Sequence, residues 1–335
     1  MRPLRYTRPE TLEAAIAAFT AADAEARYIA GGTTFYDLMK LGVERPTHLV
    51  DVTAIQGLDV VDTAGDTLRF GATALMSDVA AAVQDVPVLA ESLDKAASQQ
   101  LRNMATVGGN ILQRTRCPYF RNGAGPASAV GVYPCNKREP GSGCAAIGGL
   151  DRGQAVLGTS AACTAVAGGD WPVALMALDA MVELAGPAGV RSLPIADFYR
   201  LPGDTPHVEF SILPGELVTA ITVPATAAAQ RSTYHKVRDR ESYAFALASA
   251  AVALEMDGDT VAKARVALGG VATVPWRARA AEAVLAGATL TRERALEAGR
   301  AAFADARPGR HNAFKIPLGV ETVADAVMIA AGRTL

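Results

Sequence analysis

Every cysteine in this chain lies in one stretch: Cys117, Cys135, Cys144 and Cys163 fall between Arg102 and Asp170, and the rest of the 335 residues contain none. Cysteines serving only as small buried apolar residues would scatter along a chain. Their surroundings are not core-like. Gln113-Arg114-Thr115-Arg116-Cys117-Pro118-Tyr119-Phe120-Arg121 and Pro134-Cys135-Asn136-Lys137-Arg138-Glu139-Pro140-Gly141-Ser142-Gly143-Cys144 are rich in Gly, Pro, Arg and Lys. Such a segment cannot bury a continuous apolar face, so residues 114–163 are expected to form a long irregular loop that something else must order.

Four thiolates around one metal centre would order it, and basic neighbours are expected to favour the thiolate form. Two centres take four cysteines: a 4Fe–4S cluster or a structural zinc. The spacing C-x17-C-x8-C-x18-C lacks the C-x2-C pairs usual for both, so spacing does not choose between them. Two disulfides or four free thiols are the plainer alternatives.

The remaining composition restricts the class of protein. Half of the residues are hydrophobic, a fifth are charged and the net charge is −2, which is ordinary for a soluble globular chain of two or three domains. The absence of a Lys/Arg block argues against nucleic acid or an anionic membrane surface as main partner. No apolar stretch follows Met1-Arg2-Pro3-Leu4-Arg5-Tyr6, so no secretory signal is expected there. The longest nearly apolar run, Tyr243 to Met256, is too short to span a bilayer.

Thr7-Arg8-Pro9-Glu10 reads as a capping box opening a helix with Leu12, Ile16 and Phe19 on one face. Strands are expected at residues 27–30, 49–52, 58–61, 67–70, 181–184 and 216–223, and helices at 86–99 and 172–179. After the composition shift at residues 225–230, strands are expected at 234–237, 245–254 and 262–268, then two helices opened by Pro275 and Thr291. Helices and strands mix without strict alternation, which favours an α+β fold. The boundary divides the chain into 1–225 and 229–335.

Two glycine turns carry the binding signal. Tyr28-Ile29-Ala30 runs into Gly31-Gly32-Thr33-Thr34-Phe35-Tyr36, and a second turn reads Thr106-Val107-Gly108-Gly109-Asn110. Glycines after a strand let backbone N–H groups converge on an anion, and two such turns can grip a pyrophosphate from both sides. A Rossmann-type match at Gly141-Ser142-Gly143-Cys144-Ala145-Ala146 has no strand leading into it and is rejected. His48, His207, His235 and His311 show no ligand spacing, and no nucleophile motif or P-loop occurs.

Taken together, Ile29-Ala30-Gly31-Gly32-Thr33, Arg102-Asn103 with Thr106-Val107-Gly108-Gly109-Asn110, and Lys236-Val237-Arg238-Asp239-Arg240 resemble the FAD-binding subunit of the molybdenum hydroxylases, the xanthine dehydrogenase and aldehyde oxidoreductase group. The cysteine loop is most similar to the flavin and 4Fe–4S subunit of bacterial periplasmic aldehyde oxidoreductases. The resemblance implies a vanillyl-alcohol-oxidase-like (PCMH-type) FAD-binding domain of two subdomains, followed by a small α+β C-terminal domain. It implies that Ile29, Ala30, Gly31, Gly32, Thr33, Thr34, Phe35 and Tyr36, with Thr106, Gly108, Gly109 and Asn110, hold the FAD pyrophosphate. Asp170 would lie on the adenosine side, Val218 would give an apolar contact, and Lys236 would stand near the flavin with Tyr243 and Phe245. Cys117, Cys135, Cys144 and Cys163 would ligate the 4Fe–4S cluster, and no side chain would act as acid or base.

The same resemblance implies an electron-transfer subunit of a heterotrimer. A large subunit would carry the molybdenum cofactor, a small one the 2Fe–2S clusters, and electrons would leave to an external acceptor. The alternatives are the flavin subunit of a xanthine dehydrogenase or aromatic acyl-CoA reductase, or a non-catalytic scaffold with a four-cysteine zinc site. The compartment would be periplasmic if a partner carries a twin-Arg signal, and cytoplasmic otherwise.

Overall fold

The computed structural model describes residues 3–22, 25–122 and 132–333. Part of the cysteine loop, residues 123–131, lies outside the described residues, as does the extreme N-terminus read for a signal. The chain opens with β1 (Arg5–Thr7), α1 (Leu12–Thr20), β2 (Ala26–Ile29), α2 (Phe35–Lys40) and β3 (His48–Asp51), which build a small parallel sheet in the order β1-β3-β2. There follow β4 (Val61–Asp62), β5 (Thr67–Gly71), α3 (Met76–Ala82), α4 (Pro87–Asp94), α5 (Gln99–Arg102), α6 (Val107–Ile111) and α7 (Pro118–Arg121). Beyond the cysteines come α8 (Trp171–Ala177), β6 (Met181–Gly186), β7 (Gly189–Pro194), α9 (Ile195–Phe198) and β8 (Leu217–Pro224), closing a five-stranded antiparallel sheet in the order β4-β5-β8-β6-β7.

The C-terminal part runs α10 (Ala227–Gln230), β9 (Ser232–Val237), β10 (Ala248–Asp257), β11 (Thr260–Gly269), β12 (Trp276–Arg277), α11 (Arg279–Leu285), α12 (Arg292–Ala302) and α13 (Lys315–Ala331). Its sheet is antiparallel, ordered β12-β11-β10-β9. The architecture is the α+β mixture expected, because each sheet buries one face under helices. No helix among the described residues is long and apolar enough to cross a membrane.

Several local expectations are corrected. Thr7 does not cap α1: it ends β1, opposite Val50, with its hydroxyl 3.0 Å from His48 Nε2. Thr11 caps the helix instead, its hydroxyl accepting from Ala14 N at 3.2 Å. The helix expected over 86–99 stops at Asp94, since Ala97 takes a positive φ of 50° and Ser98 caps α5. That break leaves the Lys95 carbonyl free of the helix ladder, and Lys236 Nζ donates to it at 2.8 Å. Of the strand expected over 58–61 only Val61 is in β4, which runs on to Asp62, and β7 was not anticipated.

The largest omission is α13, a third C-terminal helix where two were expected, which buries Gly319, Thr322, Val323, Ala326, Val327 and Ala330. Those positions follow helical spacing, but Pro317 and Gly319 within the first turns hid the pattern. The larger core lies between the five-stranded sheet and α3, α4 and α8, around Phe70, Trp171 and Phe198. A second core fills the space between the C-terminal sheet and α11 to α13.

Candidate functional site

The first glycine turn leaves β2 with Ile29, and the second opens α6, where the Thr106 hydroxyl accepts from Gly109 N at 3.2 Å. The two turns meet backbone to backbone. A Cβ on Gly31 would stand 1.8 Å from Met104 O, so only glycine lets them close. Gly108 is also pressed against Ala72, where a Cβ would lie 2.8 Å from the carbonyl oxygen. Gly32 sits at φ +70°, the left-handed region that glycine enters freely.

Between these turns lies a cavity of about 1330 Å³, larger than the roughly 300–1,000 Å³ of ordinary small-ligand pockets. Ile29, Ala30, Gly31, Gly32, Thr33, Thr34 and Phe35 line one side, and Thr106, Gly108, Gly109 and Asn110 line another. Asp170, Val218 and Lys236 complete the wall, so the structure brings together every expected cofactor contact except Tyr36. The Tyr36 ring faces outward, about half exposed, under the Lys40 ammonium. Sequence reasoning missed the wall from His207 to Leu217 and the contributions of Arg114, Arg116 and Lys137. The Pro214-Gly215 pair is a turn signal within that segment, and only its end, Glu216 and Leu217, fell in an expected strand.

The cavity suits an elongated dinucleotide. The backbone N–H groups of Gly31, Gly32, Thr33 and Thr34 find no acceptor among the described residues, and Asn110 Oδ1 is buried without a partner. Unpaired donors on a half-buried concave turn, with a buried acceptor beside them, are what an anion and its sugar hydroxyls would complete. Tyr243 and Phe245 are exposed along the cavity wall rather than packed in a core. Tyr243 has a positive φ of 52°, and the Arg116 guanidinium lies 4.7 Å from the Phe245 ring centre.

Asp170 and Lys236 form a buried ion pair at the cavity floor, Nζ to Oδ2 2.9 Å, with side chains 6% and 1% exposed. Tyr234, fully buried, donates its hydroxyl to Asp170 Oδ1 at 2.6 Å. Burial pushes the Asp170 carboxyl up and the Lys236 ammonium down, and each is opposed by the charge of the other.

Beside this cavity, all four cysteines line one small pocket. Cys117 precedes α7. Cys135 and Cys144 face each other across an antiparallel bridge. The turn between them is Pro140-Gly141-Ser142-Gly143, with Gly141 at φ +84° and Gly143 at φ +99°. The Gly141–Gly143 match rejected as a nucleotide fingerprint therefore has another role: it folds Cys144 back onto Cys135. The Asn136 side chain fastens the turn by accepting from Gly143 N at 2.7 Å, and reaches the Cys163 segment by donating to Ala162 O at 3.0 Å.

The four cysteines form no disulfide, and Cys117, Cys135 and Cys163 are buried. At Cys117 and Cys163 the basic neighbours do not lower the thiol as expected. Burial pushes Cys117 up, against N–H groups of Phe120 and Tyr119 and the Gln154 amide, and pushes Cys163 up to about 11. Most of the nearby cations are paired elsewhere, Arg114 with Glu44 and Glu209, and Arg121 with Asp37. Lys137 is the cation acting against burial on Cys163. Among the described residues, no three His, Cys, Asp or Glu side chains are disposed as they stand to hold a metal ion.

Residues 2–226 match the family model described as the FAD binding domain in molybdopterin dehydrogenase, and 232–327 match the CO dehydrogenase flavoprotein C-terminal domain. The chain is 46% identical to the aldehyde oxidoreductase FAD-binding subunit PaoB of Escherichia coli, covering 99% of this chain and 100% of that one. It belongs to the FAD-binding subunits of the molybdenum hydroxylases. The carbon monoxide dehydrogenase medium chain of Afipia carboxidovorans is 29% identical, over 91% of this chain and 88% of its own length. A solved carbon monoxide dehydrogenase chain from Hydrogenophaga pseudoflava superposes with a TM-score of 0.76 at 26% identity, covering 100% of this chain and 99% of that one. The family match makes FAD the cofactor of this chain, and the donors around the two glycine turns of the large cavity fit a pyrophosphate.

Proposed function

We propose that this chain is the electron-transfer subunit, carrying FAD and a 4Fe–4S cluster, of a heterotrimeric molybdenum-dependent aldehyde oxidoreductase. Its partners are a molybdenum-binding large subunit and a 2Fe–2S small subunit, and electrons leave to an external acceptor. The observation that carries the reading is the convergence of all four cysteines on one pocket whose wall is shared with the FAD cavity. Its full-length identity of 46% to an aldehyde oxidoreductase subunit favours an aldehyde over a purine or an acyl-CoA as the complex's substrate. Residues 1–225 form the FAD-binding domain with the cysteine loop at 114–163, and 229–335 the C-terminal domain, a division supported by the two family matches. The compartment follows the partner: periplasmic with a twin-Arg partner, cytoplasmic without one.

Bound FAD and an iron–sulfur cluster would supply electron exchange, and the protein's contribution is binding and tuning. The turns at Gly31–Thr34 and Thr106–Asn110 would hold the pyrophosphate, and Asn110 Oδ1, buried without a partner, would offer the cofactor an acceptor. Asp170, held by Tyr234 and Lys236, receives the adenosine side, while Val218 gives an apolar contact. Cys117, Cys135, Cys144 and Cys163 are the cluster ligands. A four-cysteine set of this kind suits iron–sulfur chemistry, and its thiol protons leave as the metal binds. The cluster also staples a loop that has little apolar surface to bury.

The test is direct. Protein purified from cells competent for cluster assembly should contain FAD, iron and inorganic sulfide, and Cys135→Ser should lose the iron and sulfide while keeping FAD. A colourless, iron-free parent protein, or a Cys135→Ser protein with full iron and sulfide, would refute the cluster assignment.

A further inference from the structure

Lys137 occupies an unusual position, because it lines both the cysteine pocket and the FAD cavity. It follows Cys135 by two residues, so the turn that presents that cysteine also fixes the lysine in the intervening wall. Its ammonium is held from two sides: it donates to Pro206 O at 2.9 Å and pairs with Glu209 Oε2 at 3.1 Å. The side chain is 10% exposed, so solvent screens its charge only weakly.

Behind it the charges alternate. Glu209 Oε1 is bound by Arg114 Nε at 2.6 Å, and Arg114 in turn pairs with Glu44 at 2.5 Å. Arg27 Nε lies 3.7 Å from Glu44 in turn, so three cations alternate with two carboxylates, and Lys137 is the end of the row that lines the cysteine pocket. The neighbouring Arg138 is committed to the backbone carbonyls of Tyr119, Phe120 and Tyr133 and does not line the pocket. Folding a lysine charge into this wall costs desolvation, which Glu209 offsets. A solvated loop would have no need of that arrangement.

We propose that Lys137 sets the redox poise of the group held by the four cysteines, as a fixed positive charge in the wall between that group and the FAD cavity. The inference rests on the cluster reading above. A cluster with four thiolate ligands is already anionic when oxidised, and the electron it accepts adds one more negative charge. A cation held nearby in a medium of low dielectric stabilises the reduced form more than the oxidised one. Lys137 therefore raises the cluster's reduction potential, while Glu209 lowers it. Lys137 is a positioning residue in this sense: it ligates nothing and transfers nothing.

The experiment is a potentiometric titration of the purified FAD-containing protein with sodium dithionite as reductant, followed by the electron paramagnetic resonance signal of the reduced cluster. Iron and sulfide are assayed on the same samples. Lys137→Gln should keep its iron and shift the reduction equilibrium three- to tenfold toward the oxidised form, a fall in midpoint of up to about 59 mV for a one-electron couple. Lys137→Arg should restore the parent midpoint, and Glu209→Gln should raise it. Full iron with an unmoved midpoint in Lys137→Gln would overturn the inference and leave the cluster reading intact. Should Lys137→Gln fail to load iron, Glu209→Gln decides: an unmoved or lowered midpoint overturns the inference. Parent protein without iron and sulfide would overturn the cluster reading and this inference with it.

Discussion

Removing either member of the Asp170–Lys236 pair should be far more damaging than removing both. The ammonium and carboxylate are 2.9 Å apart, with side chains 1% and 6% exposed, so neither charge can turn to water when its partner is lost. Breaking a buried pair by deleting one partner typically costs about 3–5 kcal/mol, while replacing both by groups of similar shape is close to neutral. Asp170→Asn strands the Lys236 charge with only the Lys95 carbonyl, and Lys236→Met strands the carboxylate with only the Tyr234 hydroxyl. Each single variant should therefore lose about 3–5 kcal/mol, a fall in melting temperature of roughly 6–15 °C at about 2–3 °C per kcal/mol. Each should also retain less FAD, because the pair forms the cavity floor. In the double variant Asp170→Asn/Lys236→Met, most of the stability should return. The assay is thermal unfolding of the four proteins at pH 7 with and without added FAD, analysed as a double-mutant cycle. Single losses below about 1 kcal/mol, or a double loss equal to their sum, would refute the reasoning.

Two further outcomes are expected. Lys315 is buried and donates to Gly270 O at 2.6 Å, and burial pulls its pKa down to about 8. Below that value the charge is present in both folded and unfolded chains and weakens the fold. Above it the folded protein releases a proton that the unfolded chain retains, so stability rises with pH until the ordinary lysine pKa is reached. Relative to Lys315→Met, the parent should gain about 2 kcal/mol between pH 7 and 9.5, and parallel denaturation curves across that range would contradict this. Gly31→Ala places its Cβ 1.8 Å from Met104 O, so the two glycine turns must part. It should cost about 1–3 kcal/mol of stability and at least ~10-fold in FAD affinity. Gly153→Ala, with nothing within 4 Å of its new Cβ, is the matching control. Equal FAD binding by the two variants would show that close approach at Gly31 is not required.

Much of the site was legible before the fold was known, and the legible part was local. The glycine turns at Ile29–Thr34, after a strand, and Thr106–Asn110, at a helix start, point to anion binding because the conformation they need is written in the residues that adopt it. Clustering of the four cysteines in a loop with little to bury was informative for a similar reason. Helix starts with a clear capping hydroxyl, such as Thr291, were also readable. Where two hydroxyls competed, as Thr7 and Thr11 did, the pairing of Thr7 with β3 decided the matter, and that pairing is not local.

What the tertiary structure alone decided concerns burial and pairing across the chain. The sequence determined that cysteines and basic residues share a loop. Only the fold assigned Arg114 to Glu44 and Glu209, assigned Arg121 to Asp37, and left Lys137 beside Cys163. Basic neighbours in sequence suggested thiolates, whereas burial in the folded protein raises the thiols at Cys117 and Cys163. Asp170 and Lys236 are separated in the chain by α8, the β6–β7 hairpin, α9, β8 and α10, and they meet where β9 packs beside the break after α4. A residue's type fixes which charge or donor it can offer. How strongly that charge acts depends on the water excluded around it and the partner opposite, and both are properties of chain segments that come together only on folding.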